Sequence, residues 1–273
     1  TPSNGVSPLQ DDTLLKSISS DLTILKKAIF EPQKLLSFFF KDKPKSDVLI
    51  KKNNSFFARI LIWLRANFLI PDSRSFWIKP SVRFLKNYLK KQPVDVVIST
   101  GPPHSMHMIA LALKKSHPNI KWIADFRDPW TDIEYFDQLP LLSFVKKKHY
   151  QFEKRVVANA DLILSVSPSW VRAFNDMGAK KTAVLTNGYD VDDYLQDNLT
   201  QKIQSNQFVI GHFGLYNQLR DHSFFWNTLH NITSHDKEFL NHLNFLFSGE
   251  VHDDFFSNIK KYKWEEKLIH YPY

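Results

Sequence analysis

Short apolar runs, each ending in a polar or glycine-bearing turn, recur through the middle of the chain. Val94–Thr100 (VDVVIST) runs into Gly101-Pro102-Pro103-His104-Ser105, and Lys121–Asp125 (KWIAD) runs into Phe126-Arg127-Asp128-Pro129-Trp130. Asp161–Val166 (DLILSV) gives way to Ser167-Pro168-Ser169, and Thr182–Leu185 to Thr186-Asn187-Gly188-Tyr189-Asp190. Between them lie segments of helical period: 104–116, 141–158 with Val145, His149, Phe152 and Val156 on one side, and 168–177. Ser167 suits an N-cap, Pro168 the first helical position and Gly178 the stop. Strands alternating with helices predict an α/β fold with a parallel sheet, in which the loops after the strand C-termini line the ligand crevice. Gly101, His104, Arg127, Asp128 and Asn187 are therefore expected to face one cleft.

Upstream, Ser55–Ile70 (SFFARILIWLRANFLI) predicts a helix closed by Pro71. Its 16 residues include Arg59 and Arg65 and fall short of the ~20 apolar residues of a membrane span. It is expected to be buried on most sides, with its arginines snorkelling. Pro80–Lys91 predicts a second helix, with Pro80 in the first turn, Val82, Leu85 and Leu89 as apolar stripe, and Lys79, Arg83, Lys86 and Lys90 as basic stripe. Earlier still, Asp11–Ser19 reads as a short helix, Phe38–Phe40 as an insertion and Lys51–Asn54 as a loop. Downstream, polar residues 191–206 suit a linker, and Phe208–Phe213, Asp221–Ile232 and Leu243–Phe247 open a second strand–helix–strand series. The expected organisation is a domain over 1–190 without its first strands, the linker, and the truncated start of a second domain over 207–273.

Composition narrows the chemistry. The 273 residues are 43% hydrophobic and 14% aromatic, enough to bury a sizeable core. Without cysteine there is no disulfide framework, thiolate zinc site or cysteine nucleophile, which suits a reducing compartment. The first residue is Thr1 rather than Met, which marks a fragment or processed product as the expectation. The net charge of +8 is uneven: 26–91 holds 16 basic against 4 acidic residues, a local +12, leaving −4 elsewhere. Anionic lipid attracts such clusters by ~1 kcal/mol per Lys or Arg. The basic residues lack a nucleic-acid-reading motif, so no nucleic-acid partner is expected.

Three loops are candidates for chemistry. The Gly101–Ser105 turn lies between strand and helix, where backbone N–H groups suit a phosphate or sugar hydroxyl, or where His104 or Ser105 simply caps a rigid turn. In Asp125–Trp130, Asp128 suits a base or hydroxyl acceptor, Arg127 a phosphate clamp and Trp130 a sugar-stacking surface; the alternative is an Asp–Arg pair that orders the loop. In Gly211-His212-Phe213-Gly214-Leu215, Gly214 would let a diphosphate approach the backbone and Arg220 could neutralise it. His104 and His107 lack a third ligand, so no metal site is expected. No G-x-S-x-G, H-E-x-x-H or Walker lysine motif is present.

Ala160–Ser167, the following helix, Gly178, the next strand and Thr186–Asp190 together resemble the end of the N-terminal domain of glycosyltransferase family 4 (group 1). Gly211–Gly214 with Arg220 resembles the opening strand and phosphate loop of that family's second domain. Gly101–Ser105 with Ala124–Trp130 resembles a bacterial subgroup of surface-polysaccharide assembly. The resemblance implies the GT-B fold, two Rossmann-like domains facing a cleft. It implies transfer from a nucleotide-sugar donor to a glycan or lipid-linked acceptor, with retention at the anomeric carbon and no metal or other cofactor. Carried over by position, it assigns Asp128 and His104 to catalysis and Gly214, Arg220, Asn187 and Gly188 to the donor. Gly101, Pro103, Arg127 and Trp130 fall to the acceptor side. The expected location is cytoplasmic, peripheral on the inner face of the membrane through 26–91. The alternatives are a nucleotide-sugar epimerase of the same architecture and a non-catalytic, basic membrane-binding module.

Overall fold

The computed structural model describes residues 2–4, 18–30, 56–189 and 206–272. The helix expected at Asp11–Ser19, the Phe38–Phe40 insertion, the Lys51–Asn54 loop and the 191–206 linker lie outside the described residues, except at the final residues of the first and last. The chain divides into two units, Thr1–Tyr189 and Asp190–Tyr273, each with its own core.

Among the described residues, the helices of the first unit begin with α1 (Phe56–Phe68) and α2 (Ser75–Lys91). Burial on most sides does not hold for α1: Ile60, Trp63, Leu64 and Phe68 are exposed. α2 starts a turn earlier than Pro80 suggests, and Pro80 sits inside it. Asp72 explains the early start. Its side chain accepts from the Arg74 N–H at 2.9 Å and its carbonyl from the Ser75 N–H at 3.0 Å, shaping the turn from which the helix grows. Trp77 is buried beside Leu89, Ile109 and Leu113, and this packing offsets the helical hydrogen bond that Pro80 forgoes.

Next come β1 (Val96–Gly101), α3 (Ser105–Ser116), β2 (Lys121–Phe126), α4 (Ser143–Asn159), β3 (Leu162–Ser165), α5 (Pro168–Asp176) and β4 (Thr182–Val184). Their sheet runs β1-β2-β3-β4, parallel throughout, as the alternation predicts. The register aligns Gly101, Phe126 and Ser165, so the β1, β2 and β3 loops leave one edge together. Trp122, Phe126, Ile163, Val156 and Phe174 fill the core under α3, α4 and α5. Ser167 caps α5, Pro168 takes its first turn, and Gly178 ends it with φ +100°. Asp161 serves the opposite edge of the sheet: its Oδ2 accepts from Lys114 Nζ at 2.7 Å and from the Trp122 N–H at 2.8 Å.

The second unit holds β5 (Phe208–Phe213), α6 (Ser223–His235), α7 (Lys237–His242), β6 (Leu243–Ser248), α8 (Asp253–Lys261) and β7 (Leu268–Tyr271). Its sheet is β5-β6-β7, again parallel, over a core of Trp226, Phe245, Phe247, Phe255 and Trp264. Both units are thus Rossmann-like in build. At the C-terminal edge of this sheet the β5 and β6 loops touch. Gly249 has φ +124°, and a Cβ placed there would lie 2.4 Å from the Gly214 carbonyl oxygen. Gly214 has φ +103°, but a Cβ there meets nothing within 4 Å.

Gly249→Ala should therefore lower the unit's stability by at least ~2 kcal/mol and Gly214→Ala by only ~1 kcal/mol. Denaturant unfolding followed by tryptophan fluorescence checks the order; equal losses would show that the backbone crossing is not tight.

Candidate active site

At the C-terminal edge of the first sheet, Arg127 joins three loops. Its N–H donates to the Gly101 carbonyl at 3.0 Å, extending the β1–β2 ladder beyond the strands. Its Nε donates to Asp125 Oδ2 at 3.0 Å and its Nη1 to Asn187 Oδ1 at 3.1 Å. Asp125 is buried, while the Arg127 side chain is 36% exposed. The guanidinium is therefore anchored on one side and retains N–H groups to meet a hydroxyl or phosphate oxygen. Asn187 and Gly188 are exposed, and Pro103 is half-buried. Gly101 has no room for a side chain, since a Cβ there would lie 2.6 Å from His107 Nε2.

Asp128 follows Arg127 and is half-buried; burial pushes its carboxyl above the ordinary range. Tyr135 is also shifted upward, by burial and then by the Asp128 charge, so the two groups share one environment.

Beneath this loop lies a row of buried rings. His104 stacks flat on Trp130, with centroids 4.8 Å apart and planes 2° apart. Trp130 Nε1 donates to His149 Nδ1 at 3.0 Å, which fixes that ring as the Nε2–H tautomer when neutral. His107 lies against Phe126 at 4.3 Å, with its Nδ1 2.8 Å from Ser99 Oγ, which also accepts from Trp122 Nε1 at 2.9 Å. Burial, and then repulsion from His149, lowers His104 to about 3; burial, and then Lys148, lowers His149 to about 4. His107 is held well below its ordinary value by burial and then by His104.

Two sequence expectations need correction. Trp130 is only 3% exposed, so it is no sugar-stacking surface; its faces and N–H are engaged by His104 and His149. The α3 N-terminus is not an open anion site. Asp72 Oδ2 accepts from the Ser105 N–H at 2.7 Å, and the Pro103 carbonyl accepts from the Met106 N–H at 3.1 Å. His104 stands at the cap position but its side chain makes no capping bond.

One residue escapes the sequence reading. Glu153 on α4 is 1% exposed and accepts from the Trp130 N–H at 3.0 Å, the Thr131 N–H at 3.2 Å and the Thr131 hydroxyl. The signal was present: Glu153 follows His149 by four and Val145 by eight, within the apolar face of the helix. An acid there requires partners.

In the second unit, Gly214 donates its N–H to the Ser248 carbonyl at 2.7 Å. Arg220 ends the 3₁₀ turn Gln218–Arg220, which Asn217 Oδ1 caps through the Leu219 and Arg220 N–H groups, and its Nη1 donates to the Leu215 carbonyl at 3.0 Å. Asp221 accepts from Tyr216 Oη, Trp226 Nε1 and Asn258 Nδ2, locking the base of this loop. Gly214 and Arg220 therefore lie on one braced segment after β5.

Residues 42–193, more than half the chain, match the family model described as Glycosyltransferase Family 4. No curated protein matches the chain. Among solved structures, Anabaena Alr3699/HepE in complex with UDP and glucose is similar at 13% identity and TM-score 0.44, over 71% of this chain and 51% of that one. Sucrose-phosphate synthase from Thermosynechococcus elongatus gives 14% and 0.44, over 71% and 49%. UDP-GlcNAc 2-epimerase from Neisseria meningitidis gives 11% and 0.37, over 96% and 67%. The chain spans about half the length of the first two.

The ring row makes a pH prediction. His104, His107 and His149 stay neutral in the folded chain well below the 6.5 of the unfolded one. The unfolded chain then binds protons that the folded chain refuses. Their stabilisation is present above pH 6.5 and is lost as pH falls from there toward 4, by up to about 1.4 kcal/mol per pH unit for each ring. Glu153 acts oppositely: raised by burial, it favours the folded chain more as pH falls, and offsets part of the loss near its own titration. Urea midpoints should drop between pH 7 and 5, and less steeply in His104→Phe. A flat profile in the parent protein would exclude buried neutral rings.

Proposed function

The chain belongs to Glycosyltransferase Family 4, and from that membership we propose that the protein moves a sugar from a nucleotide-sugar donor to a glycan or lipid-linked acceptor in cell-surface polysaccharide assembly. The Arg127 junction carries the reading, because it gathers the loops of β1, β2 and β4 around one anchored, solvent-reaching cation. In the reaction, a glycosidic bond forms at the anomeric carbon as its bond to the diphosphate breaks, and the acceptor hydroxyl loses a proton. Asp128 is the better-suited proton acceptor of the two catalytic candidates. Burial raises its carboxyl, whereas His104 remains neutral down to about 3 and binds a proton weakly. Arg127 orients the acceptor hydroxyls. Gly214 and Arg220 belong to the donor diphosphate, Arg220 countering its charge so that no metal is required. Retention of configuration is part of this reading.

Helices α1 and α2 support a peripheral position on the inner membrane face as part of this reading. Ile60, Trp63, Leu64 and Phe68 are exposed on α1, and α2 turns Lys79, Arg83 and Lys90 to solvent. Among the described residues no helix is long and apolar enough to cross a membrane. Exposed apolar residues on one helix and exposed basic residues on the next suit the surface of an anionic bilayer.

Full-length protein incubated with a nucleotide-sugar panel, lipid-linked acceptors and EDTA tests the transfer. New glycosidic product is expected, with kcat lowered at least about 100-fold in Asp128→Asn. An isomerised donor in the absence of acceptor would replace the transferase reading with an epimerase. For the membrane, flotation with phosphatidylglycerol-containing vesicles, reduced by Trp63→Ser with Phe68→Ser, is expected; equal flotation with neutral vesicles would remove the electrostatic part.

A further inference from the structure

Asp128 and Arg127 sit on a loop that leaves the sheet, and beyond it two backbone N–H groups, those of Trp130 and Thr131, turn inward. No strand supplies them with a carbonyl; Glu153 does. The same carboxylate takes the Thr131 hydroxyl, so one buried side chain collects three donors from two consecutive residues. One helical turn earlier, His149 takes the indole N–H of the same Trp130. Trp130 then lies flat against His104, the residue at the head of α3. Two side chains four apart on α4 thereby hold the exit of the Arg127–Asp128 loop and, through the indole, the start of the neighbouring one.

A carboxylate is an expensive way to fill this space. Burying one costs several kcal/mol unless hydrogen bonds compensate, and an apolar residue of similar size would pack without that penalty. What only the carboxylate offers is acceptor capacity for inward-facing N–H groups, at fixed angles, from a rigid helix.

We infer that Glu153, seconded by His149, is the positioning residue of the Arg127–Asp128 loop, setting where the acceptor-side cation and carboxylate stand at the sheet edge. Its catalytic consequence rests on the glycosyl-transfer reading; the clamp itself does not.

Hydrogen exchange of the full chain, read by mass spectrometry over 126–132, tests the clamp. Glu153→Ala should speed exchange at Trp130 and Thr131 at least about tenfold while β1 and β3 peptides keep their parent rates. Glu153→Gln, which retains an acceptor oxygen, should restore most of the protection. Thr131→Val, which removes only the hydroxyl, should give a smaller rise and covers the case in which the alanine variant does not fold. Unchanged exchange at Trp130 and Thr131 in Glu153→Ala would overturn the inference. So would a rise shared equally by β1–β4, which would make Glu153 a general stability residue. In transfer assays with UDP-glucose and UDP-N-acetylglucosamine as probes, Glu153→Ala should lower kcat about 10–100-fold at unchanged donor KM, with recovery in Glu153→Gln. A parent protein that transfers nothing would count against the transferase reading alone, since the exchange result stands without it.

Discussion

A parallel sheet leaves a problem at its C-terminal edge: each strand ends in backbone groups whose next partner is not a strand. In this protein the buried carboxylate of Glu153 meets that problem where it matters most, at the exit of the β2 loop. The same solution recurs with other side chains. Asp72 receives the first N–H of α3. Asn67 donates to the Pro140 carbonyl and accepts from the Leu142 N–H, steadying the lead into α4. In the second unit Asn217 caps the turn that carries Arg220. Polar side chains on or beside helices thus replace the missing ladder bonds, and those of Glu153, Asp72 and Asn217 hold loops on which chemistry is expected. A loop held this way keeps a fixed geometry without becoming part of the core.

The rings beneath the β2 loop complete this arrangement electrostatically. A row of histidines could have been protonated and therefore mobile in its interactions. Burial prevents it, keeping His104 and His149 neutral down to about 3 and about 4. Neutral imidazoles can stack on indole and accept its N–H without importing charge beneath Arg127. The cation above then pairs with the buried carboxylate of Asp125 and the amide of Asn187. Separating a floor of neutral rings from the rim keeps further positive charge away from the guanidinium. It also explains why Trp130 belongs to the floor, despite the polar company it keeps in sequence.

The repeating part of the fold was legible because its signals are local. Alternating apolar runs and capped helices marked β1 through β4, and Ser167-Pro168 with Gly178 marked both ends of α5. The Arg127–Asp125 pairing was legible as one of two readings of a six-residue stretch. The bond from Arg127 to Asn187 was foreseen only as convergence, since it spans 60 positions and needs the sheet order to bring the loops together. Trp130 departs from its expected exposure because an aromatic beside two charges looks exposed in one dimension, while His149, 19 residues away, turns it inward. α8 and β7 are absent from the sequence reading although their signals are present: Phe255 and Ile259 stand four apart between an acidic first turn and a basic last turn, and β7 alternates half-buried and exposed residues beside β6. Pro80 is a start signal overridden by the Asp72 turn upstream, with the packing of Trp77 offsetting the cost of a proline inside the helix.

The strand order explains why the candidate residues gather where they do. In open α/β sheets the ligand crevice lies where successive connections turn to opposite sides. Here β1-β2-β3-β4 run in chain order without reversal, so no such point falls inside the described sheet. Among the described residues β1 and β4 form the edges of this sheet, and the β1 loop carries Gly101 and His104. That strand also leaves Val96 and Ile98 46% and 63% exposed, an apolar flank unusual for an edge facing water. The β3 loop, farther from that edge, is used up in capping α5 through Ser167. The β4 loop contributes only by reaching back to Arg127 through Asn187. The candidate residues therefore concentrate on the loops of β1 and β2, and Glu153 braces the one of them that carries Arg127 and Asp128.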